Sequence, residues 1–185
     1  MLVHQERIYC YYLSLVKANI RYRRMLSPVG PLLLAASDRG LQHLRFDRGE
    51  ALPIRDGETW TESPADIEPY ARQLNDYFRG SLRNFTCPLD LQGTDFHKAC
   101  WQALREIAYG STCTYGELAR KVGRPSAFRA VGQANHRNPV AIIVPCHRVI
   151  GSDGTLTGYG GGLDIKQKLL RLEGIALQDG LAFAG

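Results

Sequence analysis

The sequence has no paired cysteine spacing. Its five cysteines, Cys10, Cys87, Cys100, Cys113 and Cys146, are odd in number and scattered, which argues against a disulfide framework and for a reducing compartment. No two stand at zinc-ribbon spacing, so neither a structural metal nor a cofactor is expected. Long apolar runs are missing too. The stretch Ile8–Val16 is too short to span a bilayer, and Lys17 and Asn19 follow it where a small-residue cleavage site would be needed. Residues 1–20 therefore read as an extension, the location as cytoplasmic, and no membrane partner is expected. The glycine-rich stretch from Thr157 to Gly162 has no phosphate-loop pattern before it and no Lys-Ser or Lys-Thr after it, which excludes a nucleoside triphosphate cradle. Acidic residues are absent between Glu117 and Asp153, an interval that holds Lys121, Arg124, Arg129, Arg137 and Arg148. Such a run is either a solvated face or a surface that tracks phosphate.

What is present is the composition of an ordinary globular chain: 44% hydrophobic, 22% charged and a net charge of +5 over 185 residues, enough for one large or two small domains. Leu32–Ala36, the turn Ser37-Asp38-Arg39-Gly40 and Leu41–Phe46 read as strand, tight turn, strand. Ile20–Met25 alternates weakly, and residues 47–64 read as a surface loop. Ser63-Pro64 opens a helix whose Ile67, Tyr70, Ala71, Leu74, Tyr77 and Phe78 recur at helical spacing until Gly80. A second amphipathic helix carries Phe96, Ala99, Cys100, Ala103, Leu104 and Ile107 on one face, which makes Cys100 a core residue. Tyr115–Val122 and Ser126–His136 then flank Gly123-Arg124-Pro125 in a helix-turn-helix pattern. Asn138-Pro139 ends the second helix, and Leu163–Glu173 forms a last one. The fold class is α/β of the α+β kind. A small N-terminal sheet-plus-helix domain (21–80) and a connecting loop (81–93) precede a mainly helical C-terminal domain (94–176), with a tail at 177–185. The C-terminal domain is expected to hold the helix-turn-helix and a short strand that carries a cysteine.

The chemistry gathers at Pro145-Cys146-His147-Arg148. Val140–Val144 ahead of it is short, apolar and β-branched, so it reads as a buried strand that proline stops. A thiol needs a base or a positive field to become a nucleophilic thiolate, and His147 and Arg148 are the nearest candidates. Adjacent side chains on an extended backbone point to opposite faces, so sequence adjacency alone does not bring Cys146 and His147 together. Glu173 sits at a helix C-terminus, where the dipole disfavours a carboxylate, and it calls for a partner. His147 is the natural one. Beside Arg129, the small residues Ala127, Ala130, Gly132 and Ala134 let their helix approach a neighbouring helix or a nucleic-acid groove closely.

Several of these segments, in this order, resemble the O6-alkylguanine-DNA alkyltransferases. They are Arg129-Ala130-Val131-Gly132, Asn138-Pro139, Ile143-Val144-Pro145-Cys146-His147-Arg148-Val149-Ile150, Gly158-Tyr159-Gly160-Gly161, and Leu169-Leu170 with Glu173-Gly174. The match is dense over residues 94–174 and looser over 26–80, where Ser27-Pro28-Val29-Gly30-Pro31 also fits. The resemblance implies that Cys146 takes the alkyl carbon from O6 of a damaged guanine and keeps it as a thioether, once per molecule, with O4-alkylthymine a further candidate substrate. The implied partner is alkylated double-stranded DNA, bound through the minor groove by a monomer, with cooperativity left open.

The resemblance also assigns roles. His147 would act as base on the thiol through a water, Glu173 would orient the imidazole, and Asn138 would support the turn into the site. Arg129 would fill the stack position vacated by a flipped base, with Ala127, Ala130, Gly132, Arg124 and Arg148 on the DNA-binding side. Tyr115 would contact the target phosphate and the base edge. Carbonyls of Cys146 and Val149 would accept from the guanine amine, and Tyr159 and Gly160 would close over the base. Gly160 stands where other members carry a hydroxyl, so a side-chain bond to O6 is missing. Two further readings stand beside this one. Retained Cys146 speaks against a non-catalytic alkylated-DNA recognition protein, and a cysteine hydrolase would leave Arg129 and the helix-turn-helix without a purpose.

Overall fold

In the computed structural model, which describes residues 18–176, strands β1 (Ala18–Met25), β2 (Leu32–Ser37), β3 (Gly40–Phe46) and β4 (Glu58–Glu62) form one sheet in the order β3-β2-β1-β4. The tail at 177–185 and most of the N-terminal extension, with its apolar stretch Ile8–Val16, lie outside the described residues. The last three residues assigned to that extension, 18–20, begin β1. The expected β2–β3 hairpin is there, antiparallel, with β1 antiparallel on its other side. Its turn depends on Gly40, which has φ +146° and packs so tightly that a Cβ would lie 2.6 Å from the Pro88 carbonyl oxygen.

The surface-loop reading of 47–64 is corrected by β4, which pairs parallel with β1. Four of its five residues are polar, with Trp60 in the middle, and most are exposed. An edge strand of this kind buries too little to leave an apolar signature. Helix α1 (Pro64–Phe78) covers the sheet with Ile67, Tyr70, Ala71, Leu74 and Tyr77 buried, five of the six residues its spacing predicts, and Phe78 half-buried.

Helix α2 (Asp95–Arg105) starts where Thr94 accepts from the His97 amide. After β5 (Cys113–Thr114), helix α3 (Tyr115–Lys121) begins with a full capping box between Thr114 and Glu117. Helix α4 (Phe128–His136) completes the helix-turn-helix. Buried Trp101 on α2 fixes α4 in place, its indole N–H donating to the Ala134 carbonyl at 2.9 Å. A two-residue strand, β6 (Val149–Ile150), pairs parallel with β5, and helix α5 (Leu163–Leu172) packs behind it. One buried apolar cluster runs from Val29 and Leu34 through Leu74 and Leu104 to Val144 and Leu169, so the sheet and the C-terminal helices share a core.

Val140–Val144 is buried as expected but is not a strand. Only Val140 makes a sheet-like bridge, to Leu44. The chain then turns back on itself, with the Val144 amide donating to the Val140 carbonyl at 3.0 Å. Ile142 takes up a left-handed backbone at φ 70°, the one non-glycine residue of positive φ among the described residues. For a β-branched side chain this is a strained conformation, on the order of 1–3 kcal/mol. The β-branched run is apolar because it lies inside the shared core, not because it joins a ladder. Cys146 consequently stands on a single 3-10 turn, Cys146–Arg148, and the short strand β6 follows it.

Candidate active site and nucleic-acid interface

The turn before the nucleophile candidate is held by Asn138. Its Oδ1 accepts from the Val140 amide at 3.0 Å, and its Nδ2 donates to the Val144 carbonyl at 2.8 Å and to Cys146 Sγ at 3.1 Å. One side chain thus ties together both ends of the turn and the sulfur. Burial pushes the Cys146 thiol up from its ordinary value, while the Asn138 hydrogen bond and the charge of Lys166 pull the other way. The resting side chain is a neutral thiol, and its activation calls for a base.

Behind it lies a fully buried group of charges. His147 Nε2 is 2.7 Å from Glu173 Oε1, and the Arg148 guanidinium grips the same carboxylate with Nε on Oε2 at 2.8 Å and Nη2 on Oε1 at 2.9 Å. Tyr77, reaching in from α1, donates its hydroxyl to Oε1 at 2.7 Å. Burial alone would raise the Glu173 carboxyl, but the bonds and charges of His147 and Arg148 bring it down to about 2. Burial lowers His147 despite Glu173, so at neutral pH the imidazole is uncharged. With an ionised carboxylate at Nε2, the ring proton belongs there and Nδ1 keeps its lone pair. Among the described residues Nδ1 has no hydrogen-bond partner.

Arg148 is a correction. Expected on the DNA-binding side, it is 5% exposed, and its remaining nitrogen Nη1 donates to the Ile107 carbonyl at 2.6 Å. Its guanidinium is wholly committed to Glu173 and the backbone. Tyr115 and Val149 sit at the base of α3 and in β6. The Tyr115 hydroxyl accepts from Thr157 at 3.1 Å, with its ring against Gly132. The Val149 carbonyl already accepts from Lys166 Nζ at 2.6 Å, and that of Cys146 from the Val149 amide.

A cavity of about 360 Å³ gathers Cys146, Tyr159 and Gly160 from the C-terminal half with Phe46 and Arg48 from the sheet side. Sequence reasoning missed two buried polar groups, one in the cavity wall and one outside it. Asn135 is buried in the wall, and neither amide atom has a partner among the described residues. Lys166, fully buried with its ammonium on the carbonyls of Val149 and Thr157, is lowered by burial to about 8. Neither had a signal in the sequence beyond polarity on an otherwise apolar helix face.

The helix-turn-helix presents a continuous surface. Arg129, Ala130, Gln133, His136 and Arg137 are exposed at helical spacing along and just past α4. Arg124 is exposed in the turn, and half-buried Ala127 and Gly132 flank the same helix. Exposed Phe128 lies beside Arg129, whose guanidinium is 5.9 Å from the ring centre. His136 and Arg137 also line the cavity that holds Cys146, so the basic face of α4 runs straight into it.

Fold and site together define a mixed α/β protein in which a helix-turn-helix abuts a buried cysteine, histidine and glutamate. Residues 95–175 match the family described as 6-O-methylguanine DNA methyltransferase, DNA binding domain, and residues 20–91 match its ribonuclease-like domain. A methylated-DNA–protein-cysteine methyltransferase of Methanosarcina acetivorans is 53% identical over 148 residues, covering 80% of this chain and 94% of the relative. The Mycobacterium tuberculosis protein of the same name is 51% identical over 154 residues, covering 83% and 92%. The crystal structure of M. tuberculosis O6-methylguanine methyltransferase superposes with a TM-score of 0.77 at 50% identity, over 86% of this chain and 96% of that one. Its complex with DNA gives 0.75 at 49%, over 84% and 92%. The chain belongs to the 6-O-methylguanine DNA methyltransferase family.

Proposed function

We propose that this chain, a methylated-DNA–protein-cysteine methyltransferase, repairs duplex DNA by moving an alkyl group from O6 of guanine to Sγ of Cys146. The thiol proton passes through a water to Nδ1 of His147. The Sγ–carbon bond forms as the carbon–O6 bond breaks, and the released guanine takes up one proton at N1. Glu173, held by Arg148 and Tyr77, keeps the imidazole in the right tautomer and stabilises the charge it gains. A thioether has no easy hydrolytic exit, so each molecule reacts once.

A base stacked in a duplex is out of reach of a buried sulfur, so the nucleotide is flipped into the cavity at a cost of a few kcal/mol. The protein acts as a monomer on the minor groove, with α4 lying in it, Arg129 and Phe128 entering the stack and Arg124 and Arg137 on phosphates. Tyr159 and Gly160 wall the base in. The observation that carries this reading is the adjacency of the basic α4 face to the cavity that holds Cys146.

The test compares Arg129→Ala with the unaltered protein on two substrates. Transfer from an O6-methylguanine duplex is expected to slow by at least about tenfold, the flipping cost no longer being offset, while transfer from the free methylated base stays unchanged. Equal losses on both substrates would count against flipping.

A further inference from the structure

The glycine-rich loop that walls the cavity is held from outside its own half of the molecule. Arg48, two residues past the end of β3, donates through Nη2 to the Gly161 carbonyl at 3.1 Å and the Gly160 carbonyl at 3.3 Å. Phe46, the last residue of β3, meets Tyr159 edge-on with ring centres 5.8 Å apart. The fit leaves no slack: a Cβ on Gly161 would lie 2.6 Å from the Phe46 ring. The same strand also braces the opposite side of the site. Leu44 donates its amide to the Pro139 carbonyl and accepts from the Ala141 amide, both at 2.9 Å, across the turn that Asn138 ties to Cys146.

The loop's ends are anchored, the Thr157 carbonyl on Lys166 Nζ and the Gly162 carbonyl on the Lys166 amide, but between them it has little else to hold it. Gly158, Gly160, Gly161 and Gly162 supply no side chains to pack, and four glycines in five residues leave the segment a large conformational entropy to lose on closing. Among the bonds of the described residues, the loop's own closure is a single backbone bond, from the Gly162 amide to the Tyr159 carbonyl at 2.9 Å. Two charged donor contacts on adjacent carbonyls are therefore a large share of what keeps the wall in place.

We infer that Arg48 is a positioning residue for alkyl transfer: the sheet domain uses Phe46 and Arg48 to hold the Tyr159–Gly161 loop closed over the flipped base. The inference rests on the reading of the cavity as the base pocket. It gives the N-terminal sheet a part in the reaction besides its share of the core, since the pocket has one wall from each half of the chain. Arg48 touches no reacting atom; it acts through the carbonyls of the loop.

The test is single-turnover methyl transfer by the full chain carrying Arg48→Ala or Arg48→Lys, measured over a range of concentrations of an O6-methylguanine duplex and, separately, of the free methylated base. With Arg48→Ala the limiting rate is expected to fall about five- to tenfold on both substrates, as two hydrogen bonds no longer favour the closed loop. The half-saturating duplex concentration should stay within about twofold, because DNA contacts lie on α4. Backbone amides of 158–162 should exchange faster with solvent, the melting temperature should hold, and Arg48→Lys should recover part of the rate. Unchanged rates and unchanged exchange would overturn the inference. So would a loss confined to the half-saturating duplex concentration with free-base transfer intact, which would make Arg48 a phosphate contact. If the unaltered protein transfers nothing, the pocket reading itself falls, an outcome distinguished by needing no substitution.

Discussion

Glu173 is the residue on which most of the site converges, because a single carboxylate serves His147, Arg148 and Tyr77 at once. Removing its charge leaves the Arg148 guanidinium buried without a counter-ion. Glu173→Gln should therefore cost about 3–5 kcal/mol in chemical denaturation, well beyond the loss of one neutral hydrogen bond. A change under about 1 kcal/mol would mean that Arg148 finds water or another partner. The same residues set the response to acid. Glu173 falls from 4.5 to about 2 on folding and His147 falls below 6.5, so in both cases the unfolded chain binds the proton more readily. Their stabilising contribution is full above pH 6.5. It is lost as pH drops, first through His147 and then between 4.5 and about 2 through Glu173. Urea midpoints should decline steadily from pH 7 to pH 4, and a flat profile would contradict this assignment. The pairing of Glu173 with His147 was legible in the sequence, because a carboxylate at a helix C-terminus is out of place without a partner. The fate of Arg148 was not. In a stretch free of acidic residues an arginine reads as surface, and its counter-charge comes from 25 residues further along the chain.

At the scale of elements, local rules succeeded where local structure decides. The α1 stripe, the helix-turn-helix and the β2–β3 hairpin follow from helical spacing, capping and a turn glycine. They failed where tertiary contacts decide. Val140–Val144 has a strand's composition, yet Asn138 and the bridge to Leu44 fold it into a turn that tolerates a left-handed Ile142. Strand β4 exists because β1 offers it an edge, not because its own residues demand it. The hairpin supplies a direct check. Gly40→Ala places a methyl group against the Pro88 backbone at a φ that L-residues avoid. It should destabilise the protein by about 2 kcal/mol or more in denaturant titration, and the backbone contact leaves no flexible side chain to yield. A neutral effect would show that the 87–90 segment is free to move away.

Across the whole molecule, the sheet and the helix-turn-helix half are one machine with a common core. Tyr77 crosses from α1 to the carboxylate, and β3 braces the turn beside the sulfur. The molecule concentrates buried hydrogen bonds and charges around Cys146 and leaves the cavity side to a glycine-rich loop and a basic helix face. That division suits a protein that must admit a flipped base and then hold one sulfur in line with one carbon. This sulfur is expected to become the permanent acceptor. The most direct measurement is intact mass with peptide mapping after mixing the protein with a duplex that carries one O6-methylguanine. One added methyl per molecule is expected, located on Cys146, with no second turnover with excess duplex and no modification of Cys146→Ala. A protein that binds the lesion yet keeps its original mass, or a methyl group found on another residue, would contradict that expectation.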